Sequence, residues 1–227
     1  MDEKVILTWS GGKDSSMSLH EIMQKPDMEI SSLLTTVTGE YNRISMHGVR
    51  RELLEHQAES IGFPLETLII TKNATNDEYE SRMKDILLKH KKHGVRTVVF
   101  GDIFLDDLRK YREDKLANIG MNAIFPLWKK DTFKLARRFI DNGFKSVISC
   151  VDTEVLDRGF SGRDFDASFL ADLPDNIDPC GENGEFHTFV FDGPIFKRPI
   201  SIKKGKRILR DGRFCFCDIL PLNSSEQ

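Results

Sequence analysis

The chain has few cysteines and no long apolar run, and both absences limit what it can be. Its 227 residues include four cysteines, Cys150, Cys180, Cys215 and Cys217, without a C-x-x-C pair. This argues against a disulfide framework and favours reduced thiols. The amino-terminal segment lacks the apolar stretch of a signal peptide, and nothing indicates membrane insertion. We therefore expect a cytoplasmic protein without a membrane partner.

A strong excess of charge is also missing. The 33 basic and 36 acidic residues give a net charge of −3, which argues against a protein that coats nucleic acid by bulk electrostatics. A late basic run from Lys197 to Arg213 could dock an acidic protein or RNA, although such a run is more often a solvated hairpin face. The 39% of hydrophobic residues can build a core, which argues against disorder.

The most informative segment reads SGGKDS and directly follows the apolar run from Val5 to Trp9. That run fits one buried parallel strand and is too short for a helix, so a turn into a helix should follow. Glycines let backbone amides approach an anion, while the helix dipole and the Lys13 ammonium add positive charge. The segment predicts a pyrophosphate-binding loop, and Asp14 beside phosphates predicts Mg²⁺. The predicted nucleotide-binding residues here are Ser10, Gly11, Gly12, Lys13, Asp14, Ser15 and Ser16.

Two better-known nucleotide loops do not fit this segment. A Walker loop requires glycine where Leu7 stands and serine or threonine where Asp14 stands, and no G-x-G-x-x-G occurs. A simple glycine turn would be the preferred interpretation of a bare Gly-Gly pair. The added serines, lysine and aspartate favour phosphate binding.

Apolar segments alternate with helical periodicity, which is typical of an α/β fold. Strands are predicted at Val5–Trp9, Ile30–Val37, Glu66–Ile70, Thr97–Phe100 and Ala123–Phe125. The pattern changes at Pro126, so we expect a nucleotide domain at residues 1–125 and a smaller carboxyl-terminal substrate-binding domain at 126–227. Near the end, alternation between Arg213 and Ile219 places Cys215 and Cys217 on one sheet face, where strand packing is favoured over zinc binding.

Ligands of open parallel sheets bind where the strand order reverses, at the carboxyl ends of the strands. With the order 3-2-1-4-5, the loop would adjoin Gly101 and Asp102, which follow the fourth strand. Asp102 is then a candidate site residue. The alternative is a turn aspartate that caps the helix at Asp106.

A second group of chemically active residues is the segment DPCGENGEFHT at residues 178–188. Glu182 and Glu185 could hold a metal or bind an ammonium ion, and His187 could move a proton near neutral pH. The alternative is a polar loop whose acids cap the following strand.

Together these motifs carry a resemblance to a known family. SGGKDS, Met46-His47-Gly48-Val49-Arg50, the GDI at residues 101–103, the PLW at residues 126–128 and the sequence GENGEFHTFVFDGPIF are similar to the diphthine-ammonia ligase family, within the N-type ATP pyrophosphatases. The resemblance runs from about Lys4 to Pro199. It implies a Rossmann-like parallel sheet of the adenine nucleotide alpha hydrolase (HUP) type, with a smaller α+β carboxyl-terminal domain.

The resemblance also implies the chemistry. ATP would adenylate a carboxylate, releasing pyrophosphate, and ammonia would then displace AMP to leave an amide. Catalytic roles would fall to Lys13, Asp14, Asp102, Glu182, Glu185 and His187, with Mg²⁺ at Asp14 and with Gly101 and His47 near the nucleotide. The implied partners are ATP, ammonia and a carboxylate acceptor such as diphthine on elongation factor 2, and a homodimer is left open.

The chain departs from the family at Asn183 and His187, because family members from eukaryotes and archaea tend to read GEGGEYET where it has GENGEFHT. The acceptor could therefore be a different carboxylate. Two other classes stay open: a tRNA thiolase, which would need a persulfide cysteine near the nucleotide, and a nucleotide-binding sensor without turnover.

Overall fold

The computed structural model describes residues 2–44 and 48–222. Within these residues the chain forms strands and helices in an alternating order that confirms the predicted α/β class. In chain order they are β1 Glu3–Thr8, α1 Lys13–Met23, β2 Met28–Thr38, β3 Arg43–Ile44, α2 Arg51–Ile61, β4 Leu65–Ile70, α3 Asn76–Lys92, β5 Thr97–Val99, α4 Asp106–Ala117, β6 Asn122–Ile124, α5 Thr132–Asp141, β7 Lys145–Asp152, α6 Ala167–Asp172, β8 Phe186–Asp192, β9 Ile202–Arg210 and β10 Phe214–Pro221. Short 3-10 helices lie at Gly39–Tyr41 and Arg158–Phe160.

The first sheet has the predicted strand order. Its parallel strands run β4-β2-β1-β5-β6, which is 3-2-1-4-5 when only these five are counted. The additional short strand β3 pairs antiparallel with the end of β2. The order reverses between β1 and β5, so the carboxyl ends of these two strands form the edge where a ligand is expected.

Apolar patterning accounts for most of this sheet and its helices. Val5, Ile6 and Leu7 are fully buried in the central strand β1. The helix α2 buries its apolar stripe and ends at Gly62, whose φ of 95° suits glycine. Met23 is apolar but 46% exposed, because it is the last residue of α1.

The second sheet is antiparallel, with the order β8-β7-β10-β9. In β10 the side chains alternate as predicted, and Cys215 and Cys217 both lie on the buried face. The edge strand β9 carries most of the late basic run. Three members of that run are paired within the molecule: Lys204 with Asp164, Arg213 with Asp152, and Arg198 with Glu59.

One apolar core runs through both sheets, because Val5 and Leu7 belong to the same cluster as Phe139, Val147 and Phe189. A smaller cluster lies on the other face of the first sheet, under α3 and α4. These two helices bury little: Leu87 is the single buried residue of α3 and Leu116 that of α4. In the part of the chain that the structure describes, no helix has the length and apolar character to cross a membrane.

Candidate active site

The segment at residues 10–15 comprises the tight turn after β1 and the first residues of α1, and we call it the loop. Gly11 has a φ of 75°, and a Cβ at this position would lie 2.6 Å from the Oε1 atom of Gln57. Gly12 caps α1 in an extended conformation, without a side-chain hydrogen bond. The Ser10 and Ser15 hydroxyls are 3.2 Å apart. The loop therefore presents a helix amino terminus flanked by hydroxyl groups, which is an arrangement that binds anions.

Gln57 of α2 is completely buried and holds the backbone of the loop through its side-chain amide. Its Nε2 atom donates to the carbonyl oxygens of Gly11 at 3.1 Å and Val190 at 2.6 Å. Its Oε1 atom accepts from the Trp9 indole at 2.9 Å. Every polar atom of this side chain is thus satisfied inside an apolar core, and the backbone of the loop is held in one conformation.

The second sheet also contributes to the loop through β8. The Lys13 backbone N–H donates to Thr188 Oγ1 at 2.9 Å, and the Val190 N–H donates to the Gly11 carbonyl at 2.9 Å. A Cβ on Gly12 would lie 3.1 Å from the Thr188 carbonyl oxygen. The conformation of the loop therefore depends on residues that are about 175 positions away in the sequence.

Lys13 is the principal cation of the site, although only 4% of its side chain is exposed. Its Nζ atom lies 2.8 Å from each oxygen of the Asp14 carboxylate and 5.8 Å from the centre of the Phe186 ring. Burial alone would lower the pKa of Lys13, but Asp14 raises it above its usual value. The ammonium is charged at any physiological pH and is held beside the loop.

Gly101 and Asp102 follow β5 and adjoin the loop, as the strand order predicts. A Cβ on Gly101 would lie 3.2 Å from backbone atoms of the loop. Asp102 Oδ1 accepts a hydrogen bond from Arg112 Nη2 at 3.1 Å, and burial raises the pKa of this carboxyl although Arg112 opposes the shift. The capping residue of α4 is Leu105, so Asp102 does not serve as the helix cap.

Glu182 reaches the same edge from the loop before β8. Its Oε1 atom accepts a hydrogen bond from the Ile103 backbone N–H at 2.8 Å. Burial, and next the negative charge of Asp14, raise the pKa of Glu182 to about 7. The carboxyl group is therefore near half-ionised at neutral pH, which suits a group that binds and releases a proton.

His187 also lines the site, but it differs from the expectation that it moves a proton near neutral pH. Burial, and to a smaller extent the charge of Lys13, lower the pKa of His187 to about 4. The imidazole is therefore neutral at pH 7. As a neutral ring it can donate or accept a hydrogen bond there, but it does not hold the second ring proton of an imidazolium.

Glu185 is close to Glu182 in sequence but is placed differently. Only 5% of its surface is exposed, and its carboxylate accepts hydrogen bonds from the Asp178 N–H at 3.1 Å and from the N–H and side-chain amide of Asn183 at 2.9 and 3.0 Å. Its oxygens are occupied by its own loop. The position of Glu185 indicates that it shapes the loop carrying Glu182, instead of facing an acceptor.

One cavity of about 920 Å³ is lined by Lys13, Asp14, Asp102, Glu182 and His187. Its polar end holds the loop, Asp102, Glu182 and His187. Its apolar arm runs between α3 and α4, over Leu34 and Val98 of the sheet. The arm explains why these two helices bury so little, because their inner apolar side chains line the cavity: Met83 and Leu87 of α3, and Leu108 and Leu116 of α4. Ile119, just after α4, lines it too.

Comparison with known sequences supports this reading of the motifs. Residues 3–123 match the family model of the diphthamide synthase N-terminal domain, and residues 131–220 match that of the diphthamide synthase C-terminal domain.

The chain belongs to the diphthamide synthase family.

Curated relatives in this family are named diphthine–ammonia ligases. The Schizosaccharomyces pombe protein is 26% identical over 95% of this chain, which spans only 39% of that longer protein. The mouse and human proteins are 25% and 23% identical over 88% of this chain, which spans 83% of each. A U34-tRNA thiolase from Methanococcus maripaludis gives a TM-score of 0.39 at 18% identity over 61% of this chain and 56% of that one, too low to support an inference.

Several site residues were missed or misjudged at the sequence level. The sequence does indicate a special role for Gln57, because it is a polar residue on the apolar stripe of α2. Nothing in the sequence distinguishes Arg112, since it is one of many charged residues on α4. Cys180 also lines the cavity, and burial raises the pKa of its thiol to about 12. The predicted contact at His47 lies outside the described residues.

Proposed function

We propose that the protein is an ATP-dependent ligase that adenylates a carboxylate and amidates it with ammonia. The observation that carries this proposal is the SGGKDS loop, held rigid between two sheets beside Asp102 and Glu182, in a chain of the diphthamide synthase family. The curated relatives are named for the same type of reaction.

The cavity suits a nucleotide in one orientation. The phosphates lie on the amides and hydroxyls of the loop, where Lys13 balances their charge. The base lies in the apolar arm between α3 and α4, against Leu34 and Val98. This orientation leaves the α-phosphorus near the start of β8, where Glu182 of the preceding loop and His187 of the strand line the cavity.

Magnesium would accompany the nucleotide. No cluster of three or more acidic, histidine or cysteine ligands occurs among residues 2–44 and 48–222, so a metal cage made by the protein alone is not formed there. Asp14 offers one carboxylate next to the phosphate position, which fits an ion that keeps its waters and takes its other ligands from phosphates. Bound in this way, Mg²⁺ would neutralise charge on the departing pyrophosphate.

The chemistry has two steps. A carboxylate oxygen of the acceptor attacks the α-phosphorus of ATP, forming an acyl-adenylate as the bond to pyrophosphate breaks. Lys13 and the loop amides stabilise the charge that accumulates on the leaving group. The nitrogen of ammonia then attacks the acyl carbon, and AMP leaves as the amide forms.

Glu182 is the residue best placed to handle ammonia. Its carboxylate can bind an ammonium ion and take up a proton, and with its pKa raised to about 7 both ionisation states are available. Glu185 and Asn183 keep the loop of Glu182 in position through their mutual hydrogen bonds. The acceptor is a carboxylate such as diphthine on elongation factor 2; another carboxylate is the alternative because Asn183 and His187 depart from the family sequence.

A tRNA thiolase is the second candidate, and Cys180 in the cavity is the observation that favours it. Thiolase chemistry requires a nucleophilic sulfur, but the Cys180 thiol is buried, donates to the Thr132 carbonyl at 3.3 Å and has its pKa raised to about 12. A thiol in this environment stays protonated and unreactive, so the ligase is preferred.

The experiment is product analysis by mass spectrometry with Mg-ATP, ammonium and elongation factor 2 bearing diphthine, with acceptor-free controls. AMP, pyrophosphate and an acceptor lighter by about one mass unit, as OH becomes NH₂, are expected. Formation of ADP, or no nucleotide cleavage with any carboxylate acceptor, would contradict the mechanism. AMP without a change in the acceptor would keep the adenylation step and exclude diphthine.

Lys13→Met should abolish pyrophosphate release in this assay, because the leaving group loses its main cation. Lys25→Met, at an exposed position just after the same helix, is the matched control and should keep full turnover. Equal rates for the two variants would remove Lys13 from the mechanism.

A further inference from the structure

We propose that Asp102 and Arg112 bind the ribose hydroxyls of the nucleotide and select ribonucleotides over deoxyribonucleotides. This inference rests on the proposed function, since it assumes that the loop holds phosphates. It assigns a sugar-binding role to an ion pair for which neither the fold nor the proposed chemistry gives a reason.

The ion pair has two unsatisfied polar atoms. Asp102 Oδ1 is bonded to Arg112 Nη2, but Asp102 Oδ2 and Arg112 Nε are buried without a hydrogen-bond partner among the described residues. The guanidinium group cannot turn freely, because it stacks on the Phe100 ring with 4.3 Å between its central carbon and the ring centre. A buried carboxylate oxygen and a buried N–H that both lack partners cost stability, and a ligand group that bonded to both atoms would remove this cost.

The two atoms define the ligand by their opposite hydrogen-bonding character. Asp102 Oδ2 can only accept a hydrogen bond while ionised, and Arg112 Nε can only donate. A phosphate or a carboxylate would satisfy Arg112 but would be repelled by Asp102. An ammonium ion would satisfy Asp102 but has no acceptor for Arg112. A hydroxyl group both donates and accepts, so one hydroxyl, or two adjacent hydroxyls of a ribose, satisfies both atoms.

The position of the pair agrees with this assignment. Asp102 follows Gly101, which contacts the phosphate loop, whereas Arg112 lies on α4 between Leu108 and Leu116 of the apolar arm. Asp102 and Arg112 therefore lie between the predicted phosphate position and the predicted base position. In a nucleotide, the group at that point is the sugar.

The test is calorimetric binding of Mg-ATP, 2′-deoxyATP and 3′-deoxyATP to the full chain. The wild-type protein should bind at least one deoxy nucleotide about tenfold or more weakly than ATP, because that ligand leaves a charged group unsatisfied. This comparison needs no variant, so folding of a mutant cannot confuse it. Equal affinities for all three nucleotides would overturn the proposal.

Single substitutions then show which residues discriminate between ATP and the deoxy nucleotides. Asp102→Asn and Arg112→Met should bind ATP about as weakly as the wild type binds the deoxy nucleotide, with little change for the deoxy nucleotide itself. Arg109→Met is the matched control, because Arg109 lies on the same helix and stacks on Phe125 and Trp128 without lining the cavity. Loss of affinity by the same factor for all three nucleotides would overturn the sugar assignment while leaving ATP binding intact. A wild-type protein that binds no ATP would instead contradict the proposed function.

Discussion

At the scale of single residues, the site is held by polar groups that are buried with their partners. The buried side chain of Gln57 makes hydrogen bonds to three groups: the Trp9 indole N–H and the carbonyls of Gly11 and Val190. Only the structure shows this role, because a glutamine on the apolar face of a helix indicates no more than a polar group packed against that face. The sequence predicts the loop much better, since its strand, glycines, lysine and serines are adjacent in the chain.

Gln57→Met should lower the free energy of unfolding by about 2–4 kcal/mol, because the variant keeps the volume but leaves the Trp9 N–H and the Val190 carbonyl without a partner. Urea unfolding measures this change. Gln24→Met, at an exposed position after α1, is the control and should change little. Comparable losses in the two variants would mean that the buried hydrogen bonds contribute nothing.

Glu182 should make stability depend on pH in a predictable direction. Its pKa is raised from 4.5 to about 7 in the folded protein, so the folded state holds a proton that the unfolded state has released between these values. Stability therefore falls as pH rises through this window. Glu182→Gln can still accept from Ile103 and carries no charge, so it should be less destabilised than the wild type on going from pH 5 to pH 8.

Melting temperatures of both proteins across this range measure the effect, and the difference between the two curves isolates Glu182 from all other ionisable groups. Parallel curves would show that its folded-state pKa is not raised.

At the scale of elements, α3 and α4 pack only loosely against the first sheet, because each helix buries a single residue. Helical periodicity predicts an apolar face for both, and both faces exist. Periodicity cannot predict that these faces also line a cavity, because the cavity depends on the distance between the two helices. Glu80 of α3 bridges this gap to Tyr111 and Lys115 of α4 with exposed polar contacts that add little stability.

We therefore expect fast amide hydrogen exchange in α3 compared with α1, where seven of eleven residues are buried. Addition of Mg-ATP should slow exchange in α3 and α4, because the base fills the arm between them. Exchange mass spectrometry measures both effects. Protection confined to the loop and α1 would place the base elsewhere.

At the scale of the whole molecule, the two sheets share one core and one loop. Sequence patterns predict residues 1–125 as a separate nucleotide domain, and the order of its strands is confirmed. Hydrogen bonds from β8 to the loop could not be predicted, since nothing in the local pattern of either segment indicates its partner.

A fragment of residues 1–125 should therefore bind Mg-ATP at least about tenfold more weakly than the full chain, because the loop loses its contacts to Thr188 and Val190. Circular dichroism and calorimetry together test this expectation, the first to record whether the fragment folds. A folded fragment with the affinity of the full chain would show that the second sheet is dispensable for the loop.

The contacts that join the loop and Gln57 to β8 also restrict how the sequence of this protein can change during evolution. A recombination event near residue 126 that joins the first part of one relative to the second part of another would combine a loop with a strand that never adapted to it. Such chimeras should retain function only when the second parent supplies a hydroxyl side chain at position 188, because Thr188 contacts the loop through its side chain whereas Val190 does so through its backbone. The parts of the chain before and after residue 126 are therefore expected to be inherited together.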